Sequence, residues 1–182
     1  MNHNVSYSSP RKWLHWLTVM CLLALFPLGK WMTSRAAANM WDDLTNLLYG
    51  WHKLIGMVVL VLIVLRIIAK VISPDPAYEP SVSRTVQVLA KSVHGLMYLL
   101  LLIVPLLGWA GVTAFPALIT VAGYHLPPMP GVPKDQALAK QIFEIHGTLA
   151  MVLLILIIGH VAAALKHHFM DRDGVFQRMT RS

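Results

Sequence analysis

Among 182 residues there is one cysteine, Cys21. No disulfide can close within the chain, and no Cys-x-x-Cys-His segment exists to attach a prosthetic group covalently. Charge is scarce as well. Only 13% of residues are Asp, Glu, Lys or Arg, against roughly 25% in ordinary soluble domains. Acids are the scarcer sign, 8 against 15 bases, and the bases form no Arg/Lys-rich tract, which argues against nucleic acid as a partner. What remains is apolar: 57% of the chain, gathered into stretches at about 13–31, 51–71, 94–115 and 143–166. Each is close to the ~20 residues that cross a hydrocarbon core of ~30 Å. The pattern predicts an all-α fold, an integral membrane four-helix bundle forming one domain over 1–182, with the lipid bilayer as its surroundings. Arg66 and Lys70 interrupt the second stretch, but their long stems reach the interface from a buried backbone.

The first stretch has some marks of a secretory signal, with Arg11 and Lys12 ahead of it and Ala36-Ala37-Ala38 behind it. Lys30 and Arg35 intervene, and the apolar run exceeds a signal's central region, so it reads as a retained helix. Four spans put both ends of the chain on one side, with the connection between spans two and three. That side holds Arg11, Lys12, Arg66, Lys70, Arg84, Lys91, Lys166, Arg172, Arg178 and Arg181. The other holds Lys30, Arg35, Lys53, Lys134 and Lys140. The excess predicts cytoplasmic termini. Ser73-Pro74-Asp75-Pro76 and Pro80 predict an extended inner loop, and Pro116, Pro127, Pro128, Pro130 and Pro133 predict an irregular outer one.

Histidine carries the chemistry. His146 and His160 lie fourteen residues apart in the uncharged run 145–165, so on a helix they share a face and stand about 21 Å apart along its axis. His15 follows Lys12 at the inner end of span one, and His52 precedes Lys53 at the outer start of span two. Depth therefore sorts four histidines into two cross-helix pairs, His15 with His160 and His52 with His146. Two neutral imidazoles can ligate one iron from both sides of a flat macrocycle, leaving no open position, which suits electron transfer. Each histidine alone is equally well read as an interfacial residue or an interhelical hydrogen-bonding group. His94 shares the inner level on span three and reads as a propionate contact, a quinone contact or a substitute ligand. Arg66, fourteen residues after His52, lies at the inner level and reads as a propionate partner or a simple anchor. Lys53 is its weaker counterpart at the outer level. Gly56, Gly147 and Gly159 lie close to three of these histidines and would let a bulky group approach the backbone.

The segments WLHWLTV, GWHKLIG, IHGTLA and GHVAAALKHHF resemble bacterial cytochrome b561, and the likeness runs over nearly the whole chain. The fourth-span spacing with its HH ending is its most specific part. The resemblance implies a four-helix dihaem membrane cytochrome of the bacterial inner membrane, holding two non-covalent b haems. It implies that His15, His52, His146 and His160 are the axial-ligand positions, and that His94 matches a further histidine of open role. It also implies ubiquinone or its quinol as a partner and superoxide as a possible donor; Lys53, Lys134 and Lys140 read first as solvated loop charges and second as a lure for such an anion. The competing readings are an anchor subunit serving a docked soluble dehydrogenase or hydrogenase, and a metal-ion transporter. The last would require ligands clustered near the midplane, and the histidines avoid it.

Overall fold

A computed structural model describes residues 6–73, 75, 82–117, 120–121 and 124–180. Four helices dominate: α1 (Ser9–Ala37), α2 (Asp43–Ile72), α3 (Arg84–Ala114) and α4 (Gln136–Lys166). A π-helical turn, His167–Asp171, extends α4, and a short α5 (Gln177–Thr180) follows. The connection after α3 carries a two-residue antiparallel pair, β1 (Thr120–Val121) with β2 (Tyr124–His125). The fold is an all-helical bundle with four helices long and apolar enough to cross a membrane.

The helices outrun the apolar stretches at nearly every end. At 29 to 31 residues they measure roughly 44–47 Å, so their tips project beyond a ~30 Å hydrocarbon layer. Polar first turns explain the extension of α2, α3 and α4, because their amide ends find a side-chain acceptor. Asp42 accepts from the Thr45 amide, Ser83 from Val86, and Asp135 from both Ala137 and Leu138. Helix α1 stops where Asn39 takes a left-handed φ of 55°, a conformation asparagine tolerates better than most residues. Pro27 and Pro105 lie inside α1 and α3, where packing in a membrane tolerates the missing amide.

Consecutive helices pack against each other, α1 on α2, α2 on α3 and α3 on α4, whereas α4 approaches α1 and α2 only loosely. The buried core is a thin central slab of Val59, Ile63, Leu100, Leu101 and Leu153, with Cys21, Leu22 and Phe26 of α1 against it. Large apolar side chains such as Met20, Leu23, Val61, Ile155 and Ile158 face outward, 57–66% exposed, as a bilayer requires. The two ends of the chain meet on one side: the Tyr7 amide and Ser6 hydroxyl donate to the Arg178 carbonyl, and Trp16 Nε1 donates to Met179. Arg11, 8% exposed, ties this side together by donating to the Ser73 carbonyl at 2.7 Å and pairing with Asp75. The predicted inner-loop prolines 74, 76 and 80 lie outside the described residues.

On the opposite, loop-bearing side, a clasp joins α1 to α2. Arg35 donates to Thr45 Oγ1 at 2.8 Å and to Asp42, while Thr45 donates to the Met40 carbonyl. The Thr45 amide and the Arg35 guanidinium hold the Asp42 carboxyl down at about 2, against an ordinary 3.8. A carboxylate depressed in the folded state stabilises above its ordinary pKa and loses that contribution as pH falls through the folded value. Unfolding temperature in detergent is therefore expected to fall between pH 3.8 and about 2. Asp42→Ala should flatten part of that slope, and an unchanged slope would rule the clasp out as its source.

Candidate functional site

Seven-residue steps along each helix organise the bundle interior. They run His15, Leu22, Gly29 on α1 and His52, Val59, Arg66 on α2, then His94, Leu101, Gly108 on α3 and His146, Leu153, His160 on α4. Seven residues are almost two helical turns, so each trio lines one face. Because neighbouring helices are antiparallel, the trios stack into three layers. One layer, toward the termini, gathers His15, Arg66, His94 and His160. The middle layer is the apolar slab. The third, toward the loops, gathers Gly29, His52, Gly108 and His146.

In the loop-side layer, the His52 and His146 ring centres stand 6.2 Å apart with an interplanar angle of 74°. Each ring is backed by a helix with a glycine at the point of approach. A Cβ on Gly29 would lie 3.3 Å from His52 Cε1, and one on Gly108 would lie 3.3 Å from His146 Cε1. Absence of a side chain lets each imidazole reach the backbone behind it. His146 Nδ1 donates to the Val104 carbonyl at 2.9 Å, one turn before Gly108. His52 Nδ1 is buried beside the Leu25 carbonyl, likewise one turn before Gly29, without hydrogen-bonding geometry. Lys53 turns away from the pair and donates from Nζ to the Ala117 carbonyl at 2.6 Å.

In the termini-side layer, His15 and His160 repeat the arrangement, with ring centres 6.4 Å apart and again 74° between planes. His94 crowds this pair at 5.1 Å from His160, with Nδ1 donating to the Ala90 carbonyl at 2.7 Å. Arg66 Nη2 lies 3.2 Å from His15 Nδ1, and its guanidinium covers the Tyr98 ring at 5.1 Å. Lys70 lies over the same ring at 5.2 Å.

The structure thus brings His15, His160, His94 and Arg66 together at one level, and His52 with His146 at the other. Lys53 stays beside its histidine but engages the loop. At Gly56, Gly147 and Gly159 a Cβ would meet nothing within 4 Å beyond its chain neighbours and its own helix backbone, so the space beside them is open. The glycines whose Cβ position abuts a histidine are Gly29 and Gly108, which sequence reasoning missed; fourteen-residue spacing from His15 and His94 was the available signal. His167 makes a separate cluster with Asp171 and Asp173 beyond the bundle, where Lys166 already pairs with Asp171. The His125 side chain and His3 lie outside the described atoms.

A family model described as prokaryotic cytochrome b561 matches residues 6–182. Cytochrome b561 homolog 2 of Escherichia coli is 33% identical over 166 residues, covering 91% of this chain and 86% of that protein. Cytochrome b561 homolog 1 of the same organism is 27% identical over 176 residues, covering 95% and 96%. A Yersinia pestis protein named probable superoxide oxidase CybB is 30% identical over 133 residues, covering 71% and 74%. With four membrane-spanning helices and this match along its length, the chain belongs to the prokaryotic cytochrome b561 family, as a multi-pass bacterial membrane protein that binds b-type haem.

Proposed function

We propose that the chain is a transmembrane dihaem cytochrome that carries electrons between the faces of the bacterial inner membrane and exchanges them with the ubiquinone pool. In this reading His15 and His160 hold one haem, His52 and His146 the other, and both termini are cytoplasmic. The observation that carries it is the repeated geometry of the two imidazole pairs, 6.4 and 6.2 Å apart at the same 74°. Metal–imidazole bonds of about 2 Å place two axial ring centres roughly 6 Å apart across one metal. Both pairs meet that requirement, whereas His94 at 5.1 Å from His160 is too close to be its partner across an iron.

A haem held between His15 and His160 or between His52 and His146 would supply one-electron chemistry there. The protein's share is to aim and isolate. The Val104 carbonyl keeps the hydrogen of His146 on Nδ1, leaving Nε2 as the lone-pair nitrogen. Both pairs bridge α4 to the helices it approaches only loosely, so a flat group enters without prying apart a packed interface. Leu22, Val59, Leu101 and Leu153 keep the middle layer apolar. The Yersinia relative's name favours superoxide as a one-electron donor, and Lys134 and Lys140 on the loop-bearing side supply positive charge for it.

The test is a reduced-minus-oxidised visible spectrum of the purified full chain, with a pyridine-haemochrome count. Two low-spin b-type haems per chain and reduction of added ubiquinone are expected. One haem, or none when haem is plentiful, would sink the dihaem reading.

A further inference from the structure

The two histidine pairs differ in what stands behind the rings. On the loop-bearing side His146 Nδ1 faces a carbonyl, which only accepts. On the termini side His15 Nδ1 faces Arg66 at 3.2 Å, and a guanidinium only donates. With no ligand bound, the ring hydrogen of His15 is therefore on Nε2. A neutral imidazole that gives Nε2 to a metal carries its hydrogen on Nδ1, which would set two donors against each other. Arg66 has to release His15 when that ring is ligated. Its charge nonetheless stays at this level, because the Tyr98 ring underlies the guanidinium at 5.1 Å. The released donors are then free for a carboxylate of the bound group.

Resting on the dihaem reading, we infer that Arg66 is the positioning residue that makes the termini-side centre the higher in potential of the two. A full positive charge beside an axial ligand favours the added electron. A ligand imidazole donating to a backbone carbonyl becomes the stronger base and favours the oxidised metal, and that is the situation of His146. The other charges nearby do not reverse the difference. Lys70 adds to the positive side, Asp75 is paired with Arg11 and Lys70, and Asp171 and Asp173 are paired with Lys166 and His167. On the loop-bearing side Lys53 keeps its charge beside His52 but points its amine away from the pair, to the Ala117 carbonyl, whereas Arg66 lies directly against its imidazole. Electrons would then run downhill from the loop-bearing face toward the face that holds the chain ends, which gives the carrier its direction.

The experiment is a redox titration of the visible bands of the haem-loaded full chain, comparing the parent with Arg66→Met, Arg66→Lys, Gly108→Ala and His15→Ala. The parent should titrate in two one-electron waves. Arg66→Met should lower the upper wave by about tenfold in its reduction equilibrium, about 59 mV for one electron. The lower wave and the haem content should stay put, and Arg66→Lys should restore most of the shift. Gly108→Ala places a methyl 3.3 Å from His146 and should move only the lower wave. Should Arg66→Met lose the upper centre altogether, Arg66→Gln, which keeps donors without charge, decides the matter. A lowered upper wave in it supports the inference and an unmoved one overturns it. Both waves unmoved in Arg66→Met, or the lower one shifted instead, also overturns it. His15→Ala separates the two claims: it should remove the upper wave, and retention of both waves would bring down the dihaem reading itself, and the inference with it.

Discussion

His146→Ala is expected to leave the protein in the membrane with half its haem and to cut transmembrane electron transfer by ~10²-fold or more. Removing even an outer partner of a ligating histidine typically costs 10–100-fold in affinity, and under the dihaem proposal this change removes the ligand itself. The remaining imidazole, His52, has no described histidine but His146 within ring-contact range, so no substitute ligand stands ready. The termini-side pair should keep its spectrum, because the slab from Val59 to Leu153 separates the layers and belongs to neither. Transfer is measured by loading the protein into vesicles with ferricyanide trapped inside and dithionite outside. His160→Ala is the companion, and here His94 stands 5.1 Å away. Its Nδ1 donates to the Ala90 carbonyl, which leaves Nε2 as a lone-pair nitrogen able to replace the lost ligand, so loss of one haem is expected only when His94 is removed as well. Full haem content in His146→Ala would remove the loop-side pair from the ligand set.

The levels of the four histidines were legible in the sequence because helical rise converts residue number into depth, and charged neighbours mark the ends. Arg66 was placed at its level by the same arithmetic, and the structure puts it against His15. What stood behind each ring was not legible. Gly29 and Gly108 belong to helices that contribute no histidine to the loop-side pair, and their part depends on which neighbour each helix packs against. The apolar stretches likewise could not show how far the helices run, since residues 136–142 and 84–93 are held by Asp135 and Ser83 caps rather than by burial in lipid. Depth is one-dimensional and survives in the sequence; the pairing of helix faces is a tertiary property and does not.

A second large effect is expected from Gly111→Ala, a substitution that touches no histidine. Gly108 and Gly111 lie one turn apart on α3, and they face His146 and Phe143, one turn apart on antiparallel α4. A Cβ at Gly111 would fall 2.5 Å from Phe143 Cε1, closer than any packed carbon tolerates. Either the aromatic ring swings out or α4 moves off α3 at its loop-side end. The first costs packing and the second carries His146 away from Gly108 and the Val104 carbonyl. Overpacking of this kind typically costs 1–3 kcal/mol, enough to lower the unfolding temperature of a small domain by several degrees. Haem content should fall toward one per chain, with the termini-side centre retained. Gly95→Ala is the control, since nothing lies within 4 Å of its Cβ position and alanine favours a helix. Adding Phe143→Ala to Gly111→Ala should return the second haem by clearing the collision, although the lost aromatic contact keeps the protein less stable than the parent. If Gly111→Ala keeps both haems at an unchanged unfolding temperature, the α3–α4 contact does not set the position of His146.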